Sequence, residues 1–174
     1  MTGVLFVCTA NLCRSPMAAE IFRHRLGERS ANVTIGSAGL LEPDLPAVEG
    51  VQRALAGRGL DAELVRGADL ILGLERQHVR EAVVLDPASW SRAFTLKEIV
   101  RRGETAGPRD AGEPWPTWLN RIHSGRQRAD LLGSSPEDDV ADPMGGALED
   151  YEATADELDD LLSRLADLGW PPGV

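Results

Sequence analysis

Lysine is almost absent from this 174-residue chain: Lys97 stands alone, and the basic charge is otherwise carried by arginine. That bias reads as compositional and not functional. Cysteine is nearly as scarce, with only Cys8 and Cys13, and their spacing is not the C-x-x-C of a thioredoxin-like pair. The three histidines, His24, His78 and His123, lack metal-ligand spacing, which argues against zinc and leaves each as a surface position. No stretch is apolar enough for a membrane span, and MTGVLFVC has neither the basic start nor the long apolar run of a signal peptide. The chain therefore reads as a cytoplasmic protein with both thiols reduced. Positive charge is in deficit too, with a formal net charge of −10. A nucleic-acid backbone or an anionic membrane is thereby disfavoured as a general partner, although one local cluster of donors can oppose the global field. Internal repeats are missing as well.

What is present is an ordinary globular composition, 43% hydrophobic and 26% charged. The length suits one domain, residues 1–174, with a full core. Gly3–Cys8 is a continuous apolar run, as in a strand buried on both faces. Ser15 is a good N-cap and Pro16 suits a first helical position, so a helix is expected there. Met17, Ala18, Ile21, Phe22 and Leu26 fall on one face of it. Val33–Gly39 reads as a second strand, Pro46 to about Arg58 as a helix closed by Gly59, and Ala68–Leu74 as a third strand followed by a helix from Glu75. Ala93–Leu96 reads as a short fourth strand. Strands alternating with helices give a parallel α/β sheet, whose ligand crevice lies beyond the carboxyl ends of its strands. Cys8 sits at such an end.

A last helix is expected from near Ala147. Leu148, Tyr151, Ala155, Leu158, Leu162 and Leu165 recur at alternating three and four spacing, which is read as packing onto the sheet, with coiled-coil pairing the alternative. Glu149, Asp150, Asp156, Glu157, Asp159 and Asp160 are then a solvated face. Between Arg101 and Asp139 lies a Gly/Pro-punctuated stretch, long for a connection inside a compact domain, with an insertion placed at residues 103–139. Trp115, Trp118, Leu119 and Ile122 have helical spacing within it. The segment is either a short helix docked on the domain or a lid over the site.

Cys8 to Arg14 is C-x5-R, a weak signal alone, but here it follows a strand and opens a helix. A loop entering a helix amino terminus presents unpaired backbone N–H groups to one point, a ready anion site. The Arg14 guanidinium adds two parallel donors suited to phosphate. Such surroundings favour a thiolate, so Cys8 is the candidate nucleophile against a bound phosphate. Ser15 could donate its hydroxyl to that sulfur as well as cap the helix. A leaving group also needs a proton, and two Asp-Pro pairs offer one: Asp86 and Asp142. Asp142, before Gly145-Gly146 on a loop ahead of the last helix, is favoured; Asp86 is read as ending the helix after strand three.

VLFVCTANLCRSPMAAE, SAG at Ser37–Gly39, ADLILGL, FTLKE and DVADPMGG, in this order, resemble the low-molecular-weight protein tyrosine phosphatase family. The resemblance implies a four-stranded parallel sheet with helices on both faces, no metal or other cofactor, and a phosphocysteine formed on Cys8. It implies phosphoryl binding by Arg14 and the loop of Thr9, Ala10, Asn11, Leu12, Cys13, Arg14 and Ser15, with Asp142 as acid and then base. Asn11 matches the family's loop-shaping residue, Ser37 the serine supporting it, and Cys13 the second loop cysteine that traps Cys8 as a reversible disulfide. The expected partner is a phosphotyrosine protein, met by a monomer or weak dimer.

There are departures. Ala10 stands where the family commonly has glycine, a concern if that position needs positive φ. No aromatic follows Asp142-Pro143, so Leu40, Leu41, Met144 or an inserted tryptophan is expected to wall the pocket. The family's phosphoarginine branch shares the C-T-x-N and DP-x-GG features but favours Thr where Leu12 stands; Leu12 therefore tilts the reading to phosphotyrosine, with phosphoarginine the alternative. Arsenate reduction would need further cysteines. Outside hydrolases, a phosphate-binding or redox-sensing module remains open.

Overall fold

A computed structural model describes residues 1–41 and 58–171. The helix expected from Pro46 to about Arg58 lies outside the described residues apart from its last position. Strand β1 (Thr2–Cys8) runs into helix α1 (Arg14–Leu26), which leads to β2 (Val33–Gly39). A short helix α2 (Ala62–Gly67), capped by the Asp61 carboxylate on Leu64 N–H, precedes β3 (Leu70–Gly73). Helix α3 (Arg76–Leu85), β4 (Ala93–Thr95) and α4 (Leu96–Ala106) follow. Then come α5 (Trp115–His123) and α6 (Leu148–Gly169). The strands form one parallel sheet in the order β2-β1-β3-β4. The expected four-stranded α/β architecture is thus present.

Alternation along β1 sorts the core into two sides of the sheet. Val4, Phe6 and Cys8 face Phe22 of α1, Ile99 of α4, Trp118 of α5 and Leu162 of α6. Leu5 and Val7 face Val65 of α2 and Val79 of α3. Along the first side Phe6, Phe22 and Trp170 stack edge to face, with centroids 5.7 and 5.4 Å apart. Helix α6 packs there through Leu158, Leu162 and Leu165, while Leu148, counted into the stripe, is exposed. No helix among the described residues is long and apolar enough to cross a membrane.

One expectation about local structure is corrected. Ser15 is not the N-cap of α1: the helix starts at Arg14 after Cys13, with no side-chain cap, because the Ser15 hydroxyl is turned to other acceptors. Pro16 still falls in the first turn, where its missing N–H costs nothing. Helix α4 runs unbroken to Ala106, past the expected start of the insertion at 103. Helix α5 is embedded in the core through Trp118, Leu119 and Ile122.

The arginine bias also has a structural use. The last turns of α4, α5 and α6 and the irregular stretches flanking α5 leave backbone carbonyls without a helical partner, and guanidinium forks take them. Arg102 donates to the carbonyls of Ile122 and Ser124, Arg121 to those of Ala106 and Pro108, and Arg109 to those of Glu113 and Gly169. Arg126 is the buried case. It pairs with both Glu98 oxygens at 2.7 and 2.9 Å, donates to the Trp90 and Ala93 carbonyls, and lies over the Trp90 and Phe94 rings.

Candidate active site

Parallel strands end together, so Cys8, Gly39, Gly73 and Thr95 lie along one edge of the sheet. Cys8 is buried, and its Sγ receives the Asn11 N–H at 3.2 Å and the Ser15 hydroxyl at 3.0 Å. Asn11 turns its N–H back over the sulfur by adopting φ 52°, alone among the described non-glycine residues. A short polar side chain tolerates that left-handed conformation. The strain anticipated at Ala10 therefore falls on Asn11. Ser15 Oγ also lies 2.8 Å from Asn11 Oδ1, so its one proton is shared between the loop's turn and the sulfur. Ser37 does not do this: among the described residues no hydrogen bond links it to Asn11. The SAG stretch contributes through Gly39 instead, where a Cβ would come within 2.8 Å of Ala10 C and Asn11 N. The N–H groups of Leu12, Cys13 and Arg14 have no hydrogen-bond partner among the described residues. They form the open amino-terminal end of α1, with its anion preference.

Arg14 is 2% exposed, and its charge is balanced on two sides. Its Nη1 meets Glu75 and the Val140 carbonyl, the latter at 2.9 Å, and its Nη2 meets Asp142 Oδ2 at 2.7 Å. Asp142 is held in reach because Val140 N–H bonds the Leu74 carbonyl at the end of β3. Just upstream, Asp138 pairs with both Arg76 and Arg101. Asp86 is elsewhere, between α3 and a turn, paired with Arg92. The two cysteines differ. Burial pushes the Cys13 thiol up from its ordinary 9.0, helped by Asp142 and Cys8 and opposed by Arg14, so Cys13 stays protonated near neutral pH.

Glu75 and His78 escaped the sequence reading. The available signal was position, since Glu75 follows the carboxyl end of a strand that shares the crevice edge with Cys8. His78, expected at the surface, is fully buried. Gly73 makes room for it, because a Cβ there would lie 3.0 Å from His78 Cβ and 2.8 Å from Val79 Cγ2. His78 Nδ1 accepts the Glu75 N–H at 2.9 Å, and its Nε2 lies 3.1 Å from Thr9 Oγ1. Burial, then the Arg14 and Arg80 charges, lower its pKa from 6.5 to about 3.

The inserted tryptophans do not wall the crevice. Trp118 is fully buried and donates its indole N–H to the Gly107 carbonyl. Trp115 stacks on Trp170 and borders Thr2 and Asp69, at the opposite, amino-terminal edge of the sheet. Among the described residues, Leu12, Leu41 and Met144 are exposed apolar side chains on or next to the segments that form the crevice, 47%, 58% and 54% exposed. A sulfur addressed by two donors, beside a guanidinium and a carboxyl group in mutual contact, suits transfer of an anionic group to sulfur and then to water.

Comparison with known proteins agrees. The family model for low molecular weight phosphotyrosine protein phosphatases matches residues 3–115. The protein-arginine-phosphatase of Bacillus subtilis (strain 168) is 30% identical over 173 residues, 94% of this chain and 93% of its own. The low molecular weight protein-tyrosine-phosphatase Etp of Escherichia coli (strain K12) is 31% identical over 117 residues, 61% of this chain and 76% of its own. Among solved structures, a mutant of the arginine phosphatase YwlE with a phosphorylated active-site serine aligns with TM-score 0.63 and 30% identity, covering 95% of this chain and 94% of that one. The chain belongs to the low molecular weight phosphotyrosine protein phosphatase family.

Proposed function

We propose that this protein hydrolyses phosphate monoesters on proteins through a phosphocysteine, without a metal ion. The observation that carries the reading is the Cys8 sulfur, addressed by Asn11 N–H and Ser15 hydroxyl, within one loop of the Arg14–Asp142 pair. In the first step Cys8 Sγ attacks phosphorus, and the bond to the leaving oxygen breaks with its electron pair on that oxygen. Protonated Asp142 supplies the proton. A phosphoryl oxygen replaces Asp142 on Arg14 Nη2, which frees the acid for the leaving group while Glu75 and Val140 keep the other guanidinium nitrogen fixed. In the second step Asp142 takes a proton from water, water attacks phosphorus, and Cys8 leaves as thiolate. The phosphorylated serine in the YwlE mutant supports an acceptor at the Cys8 position.

Phosphotyrosine is the proposed substrate because exposed Leu12, Leu41 and Met144 flank the loop and offer apolar surface to an aryl ring. Phosphoarginine is the second reading, favoured by the near full-length match to an arginine phosphatase. The two thiols, kept free in a reducing cytoplasm, give a further element: peroxide would join Cys8 to Cys13, and dithiothreitol would restore activity. The test is p-nitrophenyl phosphate turnover in EDTA for wild type, Cys8→Ser and Asp142→Ala. Activity only with Cys8 present supports the mechanism, and full activity in Cys8→Ser refutes it. Parallel assays on phosphotyrosine and phosphoarginine peptides decide the substrate.

A further inference from the structure

Thr9 enters the catalytic reading only through its place in the loop, yet its side chain is held by two groups. His78 Nδ1 accepts a backbone N–H, which can only donate, so the proton of the neutral ring lies on Nε2. Nε2–H therefore donates to Thr9 Oγ1 at 3.1 Å. The second group is Arg14 Nη2, at 3.4 Å and also only a donor. A hydroxyl oxygen has two lone pairs, and both are engaged here. The Thr9 hydrogen is left to point away from His78 and Arg14, as a donor with no acceptor recorded among the described residues. The same Nη2 holds Asp142 Oδ2 at 2.7 Å, so Thr9 and Asp142 border one nitrogen.

We propose that the Thr9 hydroxyl is a hydrogen-bond donor to the phosphoryl oxygen that Arg14 Nη2 takes, and that His78 is the positioning residue that aims it. The proposal rests on the phosphatase reading, and it assigns a catalytic contact to a side chain in a loop otherwise thought to act through its backbone. His78 suits the task because it does not titrate in the working range: burial and the neighbouring Arg14 and Arg80 charges hold its pKa at about 3. The ring donates in one fixed tautomer whatever the state of Asp142. It sits on the first turn of α3, anchored by the N–H of Glu75, whose own carboxylate holds Arg14. One strand-to-helix junction thus orients both the guanidinium and the hydroxyl.

The test combines turnover with phosphate binding in wild type, Thr9→Val, Thr9→Ser, His78→Leu and the Thr9→Val/His78→Leu double variant. A hydrogen bond to a charged oxygen corresponds to about a ten- to hundred-fold effect. Thr9→Val, which keeps the side-chain shape, should lower kcat for p-nitrophenyl phosphate by that factor, with KM changing less. Thr9→Ser should recover most of the loss. His78→Leu should lower kcat similarly, and the double variant should fall no further than Thr9→Val. Titration calorimetry with inorganic phosphate should show binding weakened about ten-fold in Thr9→Val. Wild-type kcat and phosphate affinity in Thr9→Val would overturn the proposal, as would multiplicative losses in the double variant. If His78→Leu fails to fold, the Thr9→Val and Thr9→Ser pair decides alone. An inert wild type that still binds phosphate more tightly than Thr9→Val would sink the phosphatase reading and leave this contact standing.

Discussion

His78 makes acid stability a direct probe of the crevice. Its ring is fully buried and neutral, with its pKa lowered from 6.5 to about 3 by burial first and then by Arg14 and Arg80. The unfolded chain would take up a proton near 6.5, while the folded chain resists protonation until about pH 3. Between those values the unfolded state binds more protons, so stability falls as pH falls through this window. The full depression corresponds to about 5 kcal/mol, of which about 3 kcal/mol is lost by about pH 4.5. The assay is urea unfolding of wild type and His78→Leu at about pH 7.5 and about pH 4.5. Wild type should lose about 3 kcal/mol more than the variant over that interval. Burial, Arg126 and Arg102 depress His123 in the same direction, so the difference between the two proteins is the readout. Parallel losses would refute a buried, neutral His78. So would movement of its ring resonances above about pH 4.5.

Glu98→Gln leaves the Arg126 guanidinium buried without its counter-charge and should cost about 3–5 kcal/mol in urea unfolding. Replacing both partners, Glu98→Leu with Arg126→Met, should recover most of that loss; if it does not, the charge is not what matters there. Gly39→Ala forces a methyl to within 2.8 Å of the Ala10–Asn11 peptide. It should cost about 1–3 kcal/mol by overpacking and lower kcat about ten-fold or more by displacing the loop. Gly36→Ala, whose methyl would meet only Leu5 Cδ1 at 3.7 Å, is the control expected to change neither, and equal effects at the two glycines would refute the argument.

Local signals made much of this legible. The apolar run into Cys8, the strand-helix alternation and the residue types from Cys8 to Arg14 were enough to locate the crevice edge. The Asp-Pro pair before the last helix marked Asp142. Failures came where tertiary packing redirected a side chain. Ser15 has every local property of an N-cap, but its hydroxyl is engaged by a sulfur and an amide oxygen in place of the first-turn N–H groups. His78 looks like a surface histidine of a polar helix until Gly73, far from it in meaning though near in sequence, lets the helix approach the strand. Glu75 binds Arg14 across 61 positions, a separation no periodicity reports. The tryptophans of α5 carried an apolar pattern that gave the helix but not the sheet edge it lies against.

The guanidinium forks around α5 bear on how this region responds to charge-conserving change. Arg102 spans the Ile122 and Ser124 carbonyls with Nε and Nη2, a reach set by its planar shape. An ammonium in its place keeps the charge but meets one carbonyl at a time. Arg102→Lys should therefore expose amide hydrogens after α5 to faster exchange while leaving net charge untouched, and added salt should not reproduce the effect, since the partners are dipoles and not ions. What arginine supplies in these joins is width, so the scarcity of lysine is a mechanical property of the chain.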